Sequence, residues 1–414
     1  MKSIEGFYSI EVNGYDWGCA VDKVIVTLNE KIDNIAIDSF EVEETKKAGN
    51  FEKVTIANFK RKILDAYLVK DEKKTNEPSN QFALILNVSP TEGNPIFFNY
   101  QTMFNGWSHP YKLSIKAINK LYSNQKEVSV NISQDMRGIS TCADEFNIAN
   151  YDAKDGISYQ YAYYNAKDDS DTLLVWLHGM GEGGCVDTDP LVTVLANKVT
   201  ALIKDLQKVC PINVVVPQCS TYWMDEDGNM SNLLPGKGLR MKGYNSYYTK
   251  SLIEFIDYYK DKIQAKKVIL AGCSNGGYMT MLLALKYPHK FDAIIPICEA
   301  LKDECITDEK LVQIKDLPMY FVYADNDPIV VPSLHAKKTI ERLKALNANN
   351  LYVSVTDNVI DTSGKYFDEN NQPYQYSGHW SWIYFFNDQC NANGKKVFDF
   401  INDIAKRGCK EIDF

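Results

Sequence analysis

Gly272-Cys273-Ser274-Asn275-Gly276, followed by Gly277, has the form G-x-S-x-G. A serine flanked in this way acts as a nucleophile when it stands at the tip of a tight turn and presents its Oγ outward. The backbone at such a tip is strained. Side chains two positions away on either side would collide with the elements that meet there, so glycine serves at both positions. At a glycine frequency of about 7%, a chance match arises about once per few thousand residues, so the setting matters more than the pattern. Lys267 to Ala271 (KVILA) reads as a strand and Tyr278 to Tyr287 as a helix that ends before Pro288. That is the strand–turn–helix context the chemistry needs. The plain alternative is a glycine-rich turn with no chemistry.

A serine hydroxyl needs a general base, usually histidine. The chain has five: His109, His178, His289, His335 and His379. Hydrolases that carry this turn run serine, then acid, then histidine along the chain. Only His335 and His379 leave room for that order. His335 follows Pro332 in the first turn of an expected helix, whereas His379 sits in a loop beside Gly378. His379 is therefore the expected base. For the acid, Asp325 and Asp327 both follow the strand-like Tyr320 to Tyr323, at the sheet edge where open α/β folds place their ligands. Either one also fits an ordinary turn.

Leu177-His178-Gly179-Met180-Gly181-Glu182-Gly183-Gly184 follows the apolar run TLLVWL (172–177). Glycine-rich backbone there turns N–H groups inward, and two donors must meet the oxygen that becomes negative during acyl transfer. One is expected from Asn275, next to the nucleophile, and the other from Met180 or Gly181. His178 is expected to brace this loop. Gly179, Gly181 and Gly184 also satisfy G-x-G-x-x-G, but CVDTDP (185–190) intervenes before any helix starts. The following strand also ends in Val216-Pro217 with no acid placed for a ribose. A dinucleotide cofactor is not expected.

The elements that must position these residues change character along the chain. Val21 to Leu28, Phe82 to Val88, Lys112 to Ile118 and Glu127 to Ile132 read as short strands separated by turn-rich pieces such as Asn13-Gly14 and Asn105-Gly106. That spacing predicts a β-sandwich. From about Tyr151, apolar strands alternate with helices, which predicts a mostly parallel α/β sheet. Ile157 to Tyr164 is expected as an antiparallel edge strand, Leu191 to Lys208 and Tyr244 to Tyr259 as helices, and Val397 to Ala405 as a closing helix. The predicted domains are residues 1–138 and 139–414.

The net charge is −9, and the densest basic stretch, Lys60-Arg61-Lys62, reads as a solvated strand end, so no nucleic-acid partner is expected. No run approaches the ~20 apolar residues that span a bilayer. Met1 to Ile10 lacks the apolar stretch of a signal peptide. A cytoplasmic protein is expected, with a trimmed secreted form as the alternative. The ten cysteines form no CxxC pair, so no metal site is expected. They read as buried thiols of a reducing cell, with a Cys298–Cys305 disulfide as the alternative.

Together, these segments resemble α/β-hydrolases of the polyhydroxyalkanoate-depolymerase-like and prolyl-oligopeptidase-like esterases. LLVWLHGMGEGG looks like their strand and oxyanion loop, and Ala324 to Val330 fits their G-x-x-D-x-x-V acid loop, with Ala in place of the leading Gly. That likeness selects Asp327 over Asp325. Val216-Pro217-Gln218-Cys219 with Trp223 is similar to their segment at the active-site mouth, and His379-Trp380-Ser381-Trp382 to their histidine loop. The resemblance implies a Ser274–His379–Asp327 triad and a pocket near Gln218. Trp223, Trp382 and Tyr278 are expected either to wall that pocket or to pack in the core. Tyr15-Asp16-Trp17-Gly18 and the strand after it are similar to the Ig-like domain that precedes some of these esterases. Its implied role is a structural cap, a flank to the cleft, or a contact between subunits of a homo-oligomer.

The expected function is cleavage of a small or polymeric carboxylic ester through an acyl-enzyme. A prolyl-oligopeptidase-type peptidase uses the same residues, but the first third lacks propeller repeats. A binding protein that has lost activity is the third reading, against which an intact triad speaks.

Overall fold

The structure, a computed structural model, describes residues 2–50, 52–184, 189–234, 238–240 and 244–407. It divides into two compact units. The first holds the chain up to Asp144 together with Leu195–Lys198, and the second holds Glu145–Val194 and Val199 onward. The expected division at 138/139 falls inside the strand Lys126–Thr141, which stays paired with Lys2–Tyr15 until Thr141 meets Val12. A division there would cut the ladder, in which Gly138 is paired with Ser9 rather than ending the strand.

The first unit is an Ig-like β-sandwich whose ladder runs through ten strands. Lys2–Tyr15 alternates, with Ile4, Tyr8, Ile10 and Val12 inside. Register shifts at Gly6–Ser9 bend it, as bulges do. Arg61 corrects the expectation of a solvated strand end. Its guanidinium is buried, 3.0 Å from Glu44 Oε1, and donates to the Val21 and Asn87 carbonyls, while Lys60 and Lys62 stay exposed. A buried charge persists only when paired and bonded in this way.

In the second unit, eight strands form one sheet. They are β1 (Asn147–Asp152), β2 (Ser158–Tyr164), β3 (Thr172–Leu177), β4 (Asn213–Gln218), β5 (Lys267–Cys273), β6 (Ala293–Ile297), β7 (Met319–Ala324) and β8 (Leu351–Thr356). Their spatial order is β1-β2-β4-β3-β5-β6-β7-β8. All neighbours from β4 to β8 are parallel, and β2 is antiparallel to both β1 and β4. β2 was expected at the edge, but β1 lies outside it.

Every residue of β3, β4, β5, β6 and β7 is buried, as their unbroken apolar runs require when both faces are covered. Each fully buried Val, Leu or Ile contributes about 1.5–3 kcal/mol. The principal helices are α1 (Thr249–Lys262), α2 (Asn275–Lys286), α3 (Ala336–Ala345) and α4 (Val397–Lys406). The expected Leu191–Lys208 helix is broken. Only Pro190–Leu195 and Ala201–Lys204 are α-helical, followed by a 3₁₀ turn at Leu206–Lys208. No helix among the described residues is long and apolar enough to cross a membrane.

Candidate active site

The turn from β5 into α2 holds Ser274 at φ 54°, ψ −114°, a strained conformation for a residue with a Cβ. Two backbone bonds fix it there: Ser274 N–H donates to the Ile297 carbonyl at 2.9 Å, and the Ser274 carbonyl accepts from Tyr278 N–H at 2.8 Å. Three glycines permit the packing. A Cβ at Gly272 would lie 2.7 Å from the Gly276 backbone, one at Gly276 would lie 1.9 Å from the Leu177 carbonyl, and one at Gly277 would lie 2.7 Å from the Ile297 carbonyl. The elbow thus sits in direct backbone contact with the ends of β3 and β6.

His379 Nε2 lies 2.9 Å from Ser274 Oγ, and its Nδ1 lies 2.8 Å from Asp327 Oδ2. The other Asp327 oxygen accepts the Ile329 and Val330 amides at 2.8 and 2.9 Å. The Asp327 carboxylate is thereby fixed by its own loop, with one oxygen left for the imidazole. Asp325 instead stands exposed, 3.6 Å from Lys337 Nζ. Gly378 carries the approach of the two loops, because a Cβ there would lie 2.1 Å from Asn326 Oδ1. His335 is turned to the Val331 carbonyl at 2.9 Å, and burial lowers its pKa.

β3 delivers the glycine-rich loop to the elbow, since Leu177 is in register with Gly272. Asn275 is the first residue of α2, so its N–H has no carbonyl partner within the helix. Its side-chain oxygen accepts the Met224 amide at 2.9 Å. Met180, partly exposed, follows Gly179 in the loop. His178 is buried, and burial brings its pKa down to about 4. Its Nδ1 lies 2.7 Å from the Gly179 carbonyl and its Nε2 accepts the Cys219 amide at 3.0 Å. A carbonyl only accepts and an amide only donates, so the proton sits on Nδ1 of a neutral ring.

The residues expected near substrate are placed differently from one another. Gln218 is buried and donates to Thr193 Oγ1 at 2.8 Å. Trp223 is fully buried and donates to the His178 carbonyl at 3.1 Å. Tyr278 is fully buried and donates to the Asn245 carbonyl at 2.7 Å. All three are buried, with a polar atom of each bonded to protein. Trp382 meets the His379 ring edge-on at 5.5 Å between centroids.

Sequence reasoning assigns no role at the site to Glu182, Cys298 or Glu299. Glu182 is buried and accepts the Gly179 amide at 2.9 Å. Cys298, just past β6, brings its Sγ within 4.8 Å of ligand atoms on Asp327 and His379. Asp327 and His379 are already hydrogen-bonded to each other, and burial raises the thiol pKa, so the cluster reads as that bonded pair beside a neutral thiol. Isolated Glu and Cys residues carry no spacing signal, so only the fold reveals them.

Comparison with known proteins follows this geometry. The family model described as phospholipase/carboxylesterase matches residues 161–367, and that of the esterase Ig-like N-terminal domain matches residues 8–141. A thermostable esterase of solved structure is similar at TM-score 0.69 and 20% identity, over 94% of this chain and 97% of that one. Fainter likenesses include a ferulic acid esterase, at TM-score 0.41 and 13% identity over 63% and 99% of the two chains. Another is LpqC, a poly(3-hydroxybutyrate) depolymerase from Bordetella parapertussis, at TM-score 0.37 and 16% identity over 52% and 88%.

Proposed function

The chain belongs to the phospholipase/carboxylesterase family and is a carboxylic ester hydrolase, and we propose that it works through an acyl-enzyme formed on Ser274. His379 serves as the proton shuttle and Asp327 as the acid that orients it. The observation that carries this reading is the unbroken contact from Ser274 Oγ through the imidazole to Asp327, at 2.9 and 2.8 Å.

As Ser274 Oγ bonds to the ester carbonyl carbon, its proton passes to His379 Nε2. The imidazolium that forms is stabilised by the Asp327 carboxylate, which also keeps the proton on Nδ1. The carbonyl oxygen becomes negative and is held by the Asn275 and Met180 amides. When the tetrahedral species collapses, Nε2–H protonates the departing alkoxide and the acyl group remains on Ser274. Water then repeats the cycle and returns the acid and the free serine. No metal is needed for any of these steps. The eight described cysteines are free, which favours a reducing compartment.

A fluorophosphonate probe should label the wild type and leave Ser274→Ala unlabelled and inactive on a nitrophenyl ester. Asp327→Asn should lower kcat by about 10⁴-fold with the fold intact, because the wrong imidazole tautomer is then favoured, while Asp325→Asn keeps its activity. Labelling of Ser274→Ala, or the large loss falling on Asp325→Asn, would overturn the assignment.

A further inference from the structure

An oxyanion donor is useful only if it points the right way before the charge forms. Residues 178–184 are poorly suited to that by themselves, because four of the seven are glycine. What holds them is a set of side-chain bonds closing on one residue, Gly179. Its carbonyl accepts from His178 Nδ1 at 2.7 Å, and its N–H donates to Glu182 Oε2 at 2.9 Å. With both polar groups engaged, neither dihedral of Gly179 turns freely. The peptide that joins it to Met180 is planar and trans, so the Met180 N–H points opposite to the Gly179 carbonyl. A carbonyl drawn toward His178 therefore sends the Met180 N–H the other way.

Glu182 is itself held. Its carbonyl accepts Thr193 Oγ1 at 2.7 Å, and Thr193 Oγ1 in turn accepts Gln218 Nε2 at 2.8 Å. At the far end of the loop, the Gly184 N–H donates to the Cys219 carbonyl at 2.8 Å, and the Cys219 N–H returns to His178. The carboxylate is buried at the elbow. A Cβ on Gly179 would stand 3.5 Å from Glu182 Oε1 and equally 3.5 Å from Sγ of Cys273, the residue before the nucleophile.

We propose that Glu182 is a positioning residue for ester hydrolysis, which with His178 clamps Gly179 from both sides and so aims the Met180 N–H at the developing oxyanion. This rests on the acyl-enzyme reading above. It also gives Gln218 a role as the outer anchor of the clamp, through Thr193, in place of a contact with substrate.

The test compares Glu182→Gln, Glu182→Asp and Glu182→Ala with the wild type. The readouts are kcat and KM on nitrophenyl butyrate, and affinity for a trifluoromethyl ketone that forms a tetrahedral adduct with the serine. Loss of one oxyanion donor costs about 10²–10³-fold in kcat. Glu182→Ala should therefore lose about 100-fold and Glu182→Gln about 10-fold. KM should stay within about threefold, and adduct affinity should fall by the same factor as kcat/KM. A residue that merely supported the fold would not move the adduct affinity in step with kcat. The inference is overturned if the variants keep kcat within twofold, or if kcat/KM falls while adduct affinity does not. Should Glu182→Ala fail to fold, the isosteric Gln and shortened Asp variants decide. Wild-type kcat in these variants, with Ser274→Ala inert to the fluorophosphonate, removes this inference alone. Labelling of Ser274→Ala removes the reading beneath it.

Discussion

Glu299 follows Cys298 at the end of β6, fully buried, with one carboxyl oxygen accepting the Leu301 amide at 2.8 Å and the other unpartnered. Burial, with Asp303 pushing the same way, raises its pKa well above the usual carboxylate range. The folded state thus keeps a proton that the unfolded chain releases near pH 4.5. The linked stability is present below that pH and is lost as pH rises toward the folded value. Glu299→Gln should therefore stabilise the protein at pH 8 by about 1–3 kcal/mol, the scale of one badly solvated buried polar group. The gain should vanish at pH 4. Urea unfolding of both proteins at the two pH values checks this, and an equal effect at both would refute it. His178 works in the opposite sense. Burial takes its pKa from 6.5 to about 4, so stability is lost as pH falls through that window. At this scale the sequence was partly legible. Ser274 stood out because the glycines its geometry demands are themselves a pattern, and His379 because few histidines compete with it. The inward bonds of Gln218, Trp223 and Tyr278 depend on partners 25 to 45 residues away in the chain, while Glu182 and Glu299 bond to near neighbours but owe their burial to the fold. A buried tryptophan reads from sequence just as a pocket wall does.

The elbow shows what an element can demand of one position. At Gly276 the distance to the Leu177 carbonyl leaves no room for a methyl group, and the His178 carbonyl would stand 2.6 Å from the same added atom. Both contacts are backbone, so relief requires moving the end of β3 and the loop it carries. Gly276→Ala should lose at least about 100-fold in kcat and several degrees in Tm, as overpacking costs about 1–3 kcal/mol or more. Gly106→Ala, where an added Cβ meets nothing within 4 Å, should change neither. Steady-state assays and thermal melts of the two variants decide, and a fully active Gly276→Ala would contradict the packing described. The apolar runs of β3, β5 and β7 were readable because strands covered on both faces have no polar side to hide them. Lys2–Tyr15 was missed although its inner residues alternate. Phe7 faces outward at 41% exposure, and Gly6 leaves a gap in the inner series. The break after Leu195 escaped notice because Leu191 to Lys208 contains no Pro or Gly to announce it.

At the scale of the whole molecule, the cysteines among the described residues stand in no disulfide, and all but Cys305 are buried. Of the ten cysteines, seven are buried free thiols, Cys305 is free and partly exposed, and Cys185 and Cys409 lie outside the described residues. Thiol titration of the unfolded protein without reductant should find at least eight groups, and the native protein should react at three or fewer. A lower count on unfolding would reveal disulfides that contradict this arrangement. The free Cys298 and Cys305 settle the pairing left open by the sequence, because adjacency in a chain does not supply the geometry a disulfide needs. The domain order was legible in the change from short strands to alternating strands and helices. The exact division was not: the strand Lys126–Thr141 runs on past Gly138, and the units part only in the turn after it, at Asp144 and Glu145. The close approach of Gly378 to Asn326, beside His379, has a wider meaning. The 22 residues that lead from β8 toward His379 close into a hairpin whose base is the short ladder of Val359–Ile360 with Gln375–Tyr376. The hairpin beyond that ladder, residues 361–374, supplies none of Ser274, Asp327 and His379. Its length and sequence can therefore be changed without replacing any of those three side chains.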